Sequence, residues 1–381
     1  MKYNGIMSHL FMPNDFQAYY YSSQLIFRDI SALYYDPGFV MPYRYFPLSP
    51  LFHIIYGPFP YEFSYILGLF SIYIQMVIAY LLVLKIAKDY FNHNDKEYKW
   101  LFYCIGLMIL VPYNIILYIQ IQTSITVILT VLFSYYYFKK REREFRNNLI
   151  GGTFIMIAIM LKPTVLIVLP FLIDVRIDKS QIRVRTSSFL RIIPSMVMIF
   201  LNVILFVIYP SLLFGFIQNN FHHIYIFNIL SDSLTTFLAR IFNIHPTILF
   251  LIICSIMFGV LYYHFLTKNN DLIYYLALSI LISLIGYIDI WNHSILILLP
   301  LILFVILKTK SPDDKLRLKI LYYCTIGISW LNVFNFFFSV TFLPWYYSLF
   351  TIYYPILFIY LYINCTPSSF FADIKESKIL E

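Results

Sequence analysis

Phe63 to Lys85 reads FSYILGLFSIYIQMVIAYLLVLK, an apolar run with no charge before its closing lysine. Wound as a helix, about 20 such residues cover about 30 Å, the thickness of a bilayer's hydrocarbon core. Apolar side chains on every face leave no side suited to water, and the run lacks the period-2 alternation of a membrane β-strand. Working outward, comparable runs lie at about 100–117, 119–138, 149–161, 163–175, 191–210, 246–266, 271–288, 293–307, 319–341 and 346–363. Together they predict an all-α polytopic membrane protein with about 11 transmembrane helices. Several runs are short, and these pair as hairpins or broken helices tucked against protein.

The composition agrees. The chain of 381 residues is 61% hydrophobic and 12% charged, with a mean hydropathy of +0.75, which excludes a soluble domain with a water-facing surface. Its 36 Tyr and 38 Phe far exceed its 4 Trp, and many of these rings sit near run ends, where an amphipathic ring suits the interface or lines a groove. Cys104, Cys254, Cys324 and Cys365 form no CxxC pair and read as small core hydrophobes.

The net charge of +8 is a topology signal, not a nucleic-acid footprint. If the runs cross in alternation, 22 of the 27 Lys and Arg fall on one side and only Lys2, Arg28, Arg44, Lys162 and Arg240 on the other. The positive-inside rule assigns the crowded side to the cytoplasm. This divides the chain into an outer segment 1–62 with short amphipathic helices, a bundle 63–363 carrying an outer loop at 211–245, and an inner tail 364–381. A chain whose sizeable loops face outward works on the outer face of the cell membrane.

The outer segment carries the chemistry. Asn14-Asp15-Phe16-Gln17-Ala18-Tyr19-Tyr20 is followed by Tyr34-Tyr35-Asp36-Pro37 and then by Arg44-Tyr45-Phe46-Pro47-Leu48-Ser49-Pro50, directly before the first long run. Asp15 after Pro13-Asn14 would serve as a helix N-cap. Asp29, Asp36 and Glu62 are the other carboxylates here, Asp36 before Pro37-Gly38 being a turn residue. Lys162-Pro163 follows Gly151-Gly152-Thr153 and interrupts an apolar stretch, which is costly unless the lysine faces a polar cavity or snorkels at a hairpin tip. Gln120-Ile121-Gln122-Thr123 forms a turn between two runs, where Gln122 either meets sugar hydroxyls or satisfies backbone. His293, in Trp291-Asn292-His293, starts a late run and serves as a cap, a packing residue or a ligand. His222-His223 are neighbours that point apart on a helix, with no Cys or HExxH partner, so no metal site is expected.

In order and spacing these elements resemble the polyprenol-phosphate-mannose-dependent mannosyltransferases, glycosyltransferase family 87 of the membrane-embedded GT-C type. The Asp, amphipathic helix, Tyr turn and Tyr-Pro-Pro element match the first outer loop, with Leu48 and Ser49 stretching the last. Gly151-Gly152 to Lys162-Pro163 matches the family's Gly-rich helix start ending in Lys-Pro. Ile119 stands where the family's Gly-Gln-x-Asn turn has glycine. The family has a transmembrane helix just upstream of its Asp, whereas Ile6 to Met12 is too short for one.

The resemblance implies a GT-C bundle and an inverting transfer of a hexose, mannose in the family it resembles. The donor would be a polyprenyl or dolichyl monophosphate sugar and the acceptor a glycan or glycolipid, with membrane lipid as the medium and no nucleic acid. Asp15 would be the general base, with Tyr19, Arg44, Tyr45, Gln122, Lys162 and His293 binding substrate. A phosphate leaving group needs little acid assistance, so outward cations replace a second carboxylic acid. With no Asp-x-Asp on the outer side, neither a metal nor another cofactor is expected. The alternative class is a secondary transporter or a flippase for lipid-linked sugars. That class would need ionisable groups at mid-membrane and repeat symmetry, and the runs offer almost no charges and no evident repeat.

Overall fold

The computed structural model describes residues 14–35, 43–90, 95–111, 121–140, 143–178, 181–222, 233–267, 271–287, 295–338 and 348–364. The architecture is helical, with one small β-hairpin. It opens with α1 (Asn14–Arg28), a turn at Ile30–Ala32 and a 3-10 segment at Ser49–Tyr56. Next come α2 (Tyr61–Tyr90), α3 (Asp95–Leu110), α4 (Ser124–Lys139) and α5 (Glu144–Leu161). A 3-10 stretch at Pro163–Val168 runs into the single turn α6 (Leu169–Leu172), and β1 (Val175–Asp178) pairs antiparallel with β2 (Gln181–Val184). Beyond these lie α7 (Ile193–Ile208), α8 (Pro210–Ile217), α9 (Leu234–Phe242) and α10 (Pro246–Thr267). The chain closes with α11 (Leu272–Gly286), α12 (Ile295–Lys308), α13 (Pro312–Phe338) and α14 (Ser348–Asn364).

Burial sorts the helices. Every residue from Ile273 to Gly286 in α11 and from Ile295 to Leu307 in α12 is buried, so these uniformly apolar helices form the centre. On α2, by contrast, Phe63, Ile66, Phe70, Tyr73, Ile74 and Leu81 are exposed, and on α7 so are Met196, Phe200, Val203 and Val207. An apolar outer belt around a packed apolar centre is compatible with a bilayer and far exceeds the patches that water-soluble monomers tolerate.

Where the apolar runs are described most of them are helical, and the expected 11 crossings are matched in part. Among the described residues, α2 and α10 are long and apolar enough to cross a membrane, and α7 with the segment from Pro210 makes a third only if counted as one span bent by 110°. The run at 163–175 is not one helix: Pro163 to Leu172 is a 3-10 stretch and one helical turn, followed by a strand. Lys162-Pro163 breaks the helix there, because a proline ring disfavours helical backbone in the residue before it, and Lys162 is extended (φ −149°). Segment 211–245 is also not a plain loop, since it contains α8 and α9.

Gly151 and Gly152 do not start a helix; they lie in the middle of α5. A Cβ on Gly152 would sit 2.4 Å from the Arg191 carbonyl oxygen, and one on Gly151 would sit 2.4 Å from the Phe138 ring. These glycines therefore let α5 pack closely on α4 and on the chain leading into α7. Polar bonds tie the same region: Arg191 Nε donates to Asn148 Oδ1 at 2.9 Å, and Asn148 Nδ2 to the Ser187 carbonyl at 3.0 Å. The stretch after Lys162 thus returns to the level at which α5 began, so 144–191 is a hairpin with Lys162 near its tip.

The opposite end of α4 gathers charge. Asp271 caps α11 by accepting from Ile273 N (3.2 Å). Its fully buried carboxylate is paired with Lys139 (2.5 Å) and Lys308 (3.1 Å), and Tyr135 Oη approaches it at 3.4 Å. Lys315 pairs with Glu97 between α13 and α3.

Candidate functional site

At the end of the bundle marked by Lys162, four stretches distant in sequence converge. Tyr19, in the second turn of α1, is almost fully buried. Its hydroxyl lies 2.9 Å from Tyr45 Oη and 3.3 Å from Thr123 Oγ1. The next residue, Ser124, begins α4 and accepts from Lys162 Nζ at 3.3 Å. Gln122 is buried beside them. Tyr19, Tyr45, Gln122 and Lys162 are thereby brought into one neighbourhood through Thr123 and Ser124.

The supporting shell is polar and specific. Ser49 Oγ donates to the Met160 carbonyl (2.8 Å), Asn202 Oδ1 accepts from Leu48 N (3.0 Å), and Tyr34 Oη donates to the Tyr45 carbonyl (2.6 Å). These bonds fasten the 43–56 segment to the tip of α5, to α7 and to the chain just after the Ile30–Ala32 turn. Arg44 enters an adjoining set: Asn220 Nδ2 donates to its carbonyl (3.2 Å), and Tyr287 Oη donates to Asn220 Oδ1 (3.1 Å). Asp15 belongs to α1, one helical turn before Tyr19. His293 lies outside the described residues. Of the other carboxylates, Asp29 accepts from Ser31 N and Oγ and so caps a turn, while Asp36 lies outside the described residues.

Close packing sets the approach of α1 to α2. A Cβ on Gly68 would stand 2.8 Å from Ile121 Cδ1 and 3.2 Å from Phe16 Cε2, so a larger residue would have to displace the Ile121 side chain. Ile121 itself has φ 51°, left-handed backbone that costs a β-branched residue about 1–2 kcal/mol. The strained turn delivers Gln122, Thr123 and Ser124 to the site, and local strain of this kind gathers at functional positions.

Sequence reasoning missed His53. Its ring stacks on Tyr19 with centroids 4.3 Å apart and planes 23° apart. It is 7% exposed, and its buried Nε2 has no hydrogen-bond partner. Burial pushes its pKa down to about 3. The available signal was a lone imidazole inside the apolar Leu51-Phe52-His53-Ile54-Ile55. The unfolded chain protonates His53 below about pH 6.5, whereas the fold refuses the proton until far lower pH. Stability should therefore fall as the pH drops through this window, by about 2 kcal/mol between pH 6.5 and 5. His53→Phe, which keeps a stacked ring, should flatten that slope in thermal unfolding measured in detergent. An unchanged slope would assign the pH dependence to other groups.

Chemically, the site offers one ammonium, four hydroxyls, an amide and stacked rings. Such a set suits a ligand with an anionic head and several hydroxyls. Among the described residues there is no group of three or more His, Cys, Asp or Glu able to hold a metal ion. No family model, curated protein or solved structure matches the chain.

Proposed function

We propose that the chain is a membrane glycosyltransferase of GT-C type, moving a hexose from a polyprenyl or dolichyl monophosphate to a glycan or lipid acceptor with inversion. In this reading all eleven apolar segments sit in the membrane, residues 1–62 face the extracytoplasmic side, and the Asp271 end faces the cytoplasm. The observation that carries it is the meeting of Tyr19, Tyr45, Gln122 and Lys162, candidates drawn from three separated motifs. Asp15 takes the proton from the attacking hydroxyl on the face opposite the phosphate. Lys162 offsets charge on the departing phosphate, with the Ser124 hydroxyl beside it. The tyrosine hydroxyls and Gln122 bond the sugar.

Purified protein incubated with radiolabelled lipid-phosphate sugars and a mixed glycolipid acceptor tests this reading. Label appearing in the acceptor supports it; label that only crosses the bilayer unchanged indicates a transporter or flippase. Transfer should survive EDTA, since phosphate charge is offset by Lys162. Lys162→Met should lower kcat/KM about 10²-fold or more, the scale for losing one preorganised charge stabiliser. Full loss with EDTA and rescue by Mn²⁺, together with wild-type behaviour of Lys162→Met, would overturn the phosphate site.

A further inference from the structure

Helix α9 carries the wrong polarity for a water-facing loop. Its inward face is polar: Ser233, Thr235 and Thr236 are buried, and α9 packs on α10, α11 and α14. Ser233 Oγ caps the helix by accepting from Thr236 N (3.1 Å). Open at its far end are Ile241 (56% exposed) and Phe242 (62%), with Ile244 (41%) just beyond. In water the threonines would face outward and the large apolar side chains inward, so this inversion marks an apolar medium outside.

That medium continues along α10. Asn243, left-handed at φ 52°, ends α9, Ile244 N donates to the Ala239 carbonyl (3.2 Å), and α10 starts at Pro246. Ile248, Leu251, Ile252 and Ile256 then stand exposed at helical spacing. This end of α10 lies level with the end of α11, since Phe250 faces the Tyr287 ring at 6.2 Å. Ser283, one turn before Tyr287, donates to the Thr164 carbonyl (2.9 Å). Helix α9 therefore borders the lipid-compatible belt at the end of the bundle that holds Lys162.

One cation belongs to this border. Arg240 is exposed on α9, and among the described residues no hydrogen bond or ion pair holds its guanidinium. From Ser233 to Asn270 the chain has no Asp or Glu. Partial burial lowers the pKa of Arg240 from the ordinary guanidinium value, as expected of a cation that has lost some water without gaining a counter-ion. A cation next to bare aliphatic and aromatic side chains, at the edge of an apolar belt, has the make-up of an interfacial helix.

We infer that α9 is an interfacial helix that docks on phospholipid, with Ile241, Phe242 and Ile244 set into the acyl boundary and Arg240 bound to a headgroup phosphate. The inference is independent of sugar transfer. It does not require a particular number of crossings, only that the α10 belt lies in lipid.

The test places an environment-sensitive fluorophore at Ile241→Cys in the full chain, with the four native cysteines replaced by alanine. The protein is reconstituted into vesicles of digalactosyldiacylglycerol, which has no phosphate, containing rising fractions of phosphatidylcholine with a nitroxide quencher on its headgroup. Emission should be blue and shielded from aqueous iodide. Half-quenching should need about fivefold less phosphatidylcholine with Arg240 than with Arg240→Gln, the factor given by one basic residue near a lipid surface. Arg240→Lys should stay within about twofold of the parent, because it keeps the charge. Red emission open to iodide overturns the interfacial placement, and equal half-quenching with and without the arginine overturns the phosphate contact. Inorganic phosphate that abolishes the difference would assign Arg240 to free anions, and blue emission that follows protein density would assign the face to a second copy. Either of these results also overturns the proposal.

Discussion

Asp15→Asn should cut sugar transfer by about 10² to 10⁴, the usual scale for removing a general base, while the protein stays folded. An amide cannot take the hydroxyl proton, and at position 15 the substitution sits in the first turn of α1, where asparagine and aspartate have similar helix propensities. The measurement is the initial rate with lipid-phosphate sugar, paired with a melting curve of the same preparation. A variant that melts with the wild type and transfers at the wild-type rate would remove Asp15 from the mechanism. A variant that loses both would show a structural role.

Asp271→Asn should destabilise the bundle by about 3 kcal/mol or more, the largest expected loss from a single change outside the candidate site. The asparagine still accepts from Ile273 N, so the helix cap survives and the charge alone is removed. Lys139 and Lys308, both largely buried, lose the carboxylate that they share. Denaturation in detergent compares wild type, Asp271→Asn and a triple variant with Met, Leu and Met at 139, 271 and 308. The triple variant should recover most of the loss, because a well-packed apolar set often replaces a buried ionic one at little cost. Equal stability of wild type and Asp271→Asn would mean that the lysine heads reach water and are already solvated.

Much of the helical layout was legible locally. The runs that became α2 and α10 announce themselves by uninterrupted apolar composition, and Pro163 marks the break after Lys162 because its ring acts on the residue beside it. Tyr19, Tyr45, Gln122 and Lys162 were each visible as polar or aromatic positions in unusual settings. His53 and Asp271 were not, since a histidine or an aspartate reads the same in sequence whether its surroundings are water or packed side chains. Gly151 and Gly152 misled for a related reason: a glycine pair signals a helix end and a close helix contact equally well, and only the Arg191 carbonyl 2.4 Å from a virtual Cβ distinguishes them.

What the sequence determined alone is the helical class, the apolar character and the individual site candidates, because hydropathy, proline geometry and side-chain chemistry are properties of short stretches. What the tertiary structure alone decided is that α1, the 43–56 segment, the turn at Ile121 and the tip of α5 meet around Thr123 and Ser124, and that the chain after Lys162 folds back along α5. Those outcomes depend on which surfaces bury one another. Tyr19 and Thr123 are 104 residues apart, so their 3.3 Å approach is set by the packing of Phe16 and Ile121 against Gly68, contacts that no local pattern specifies.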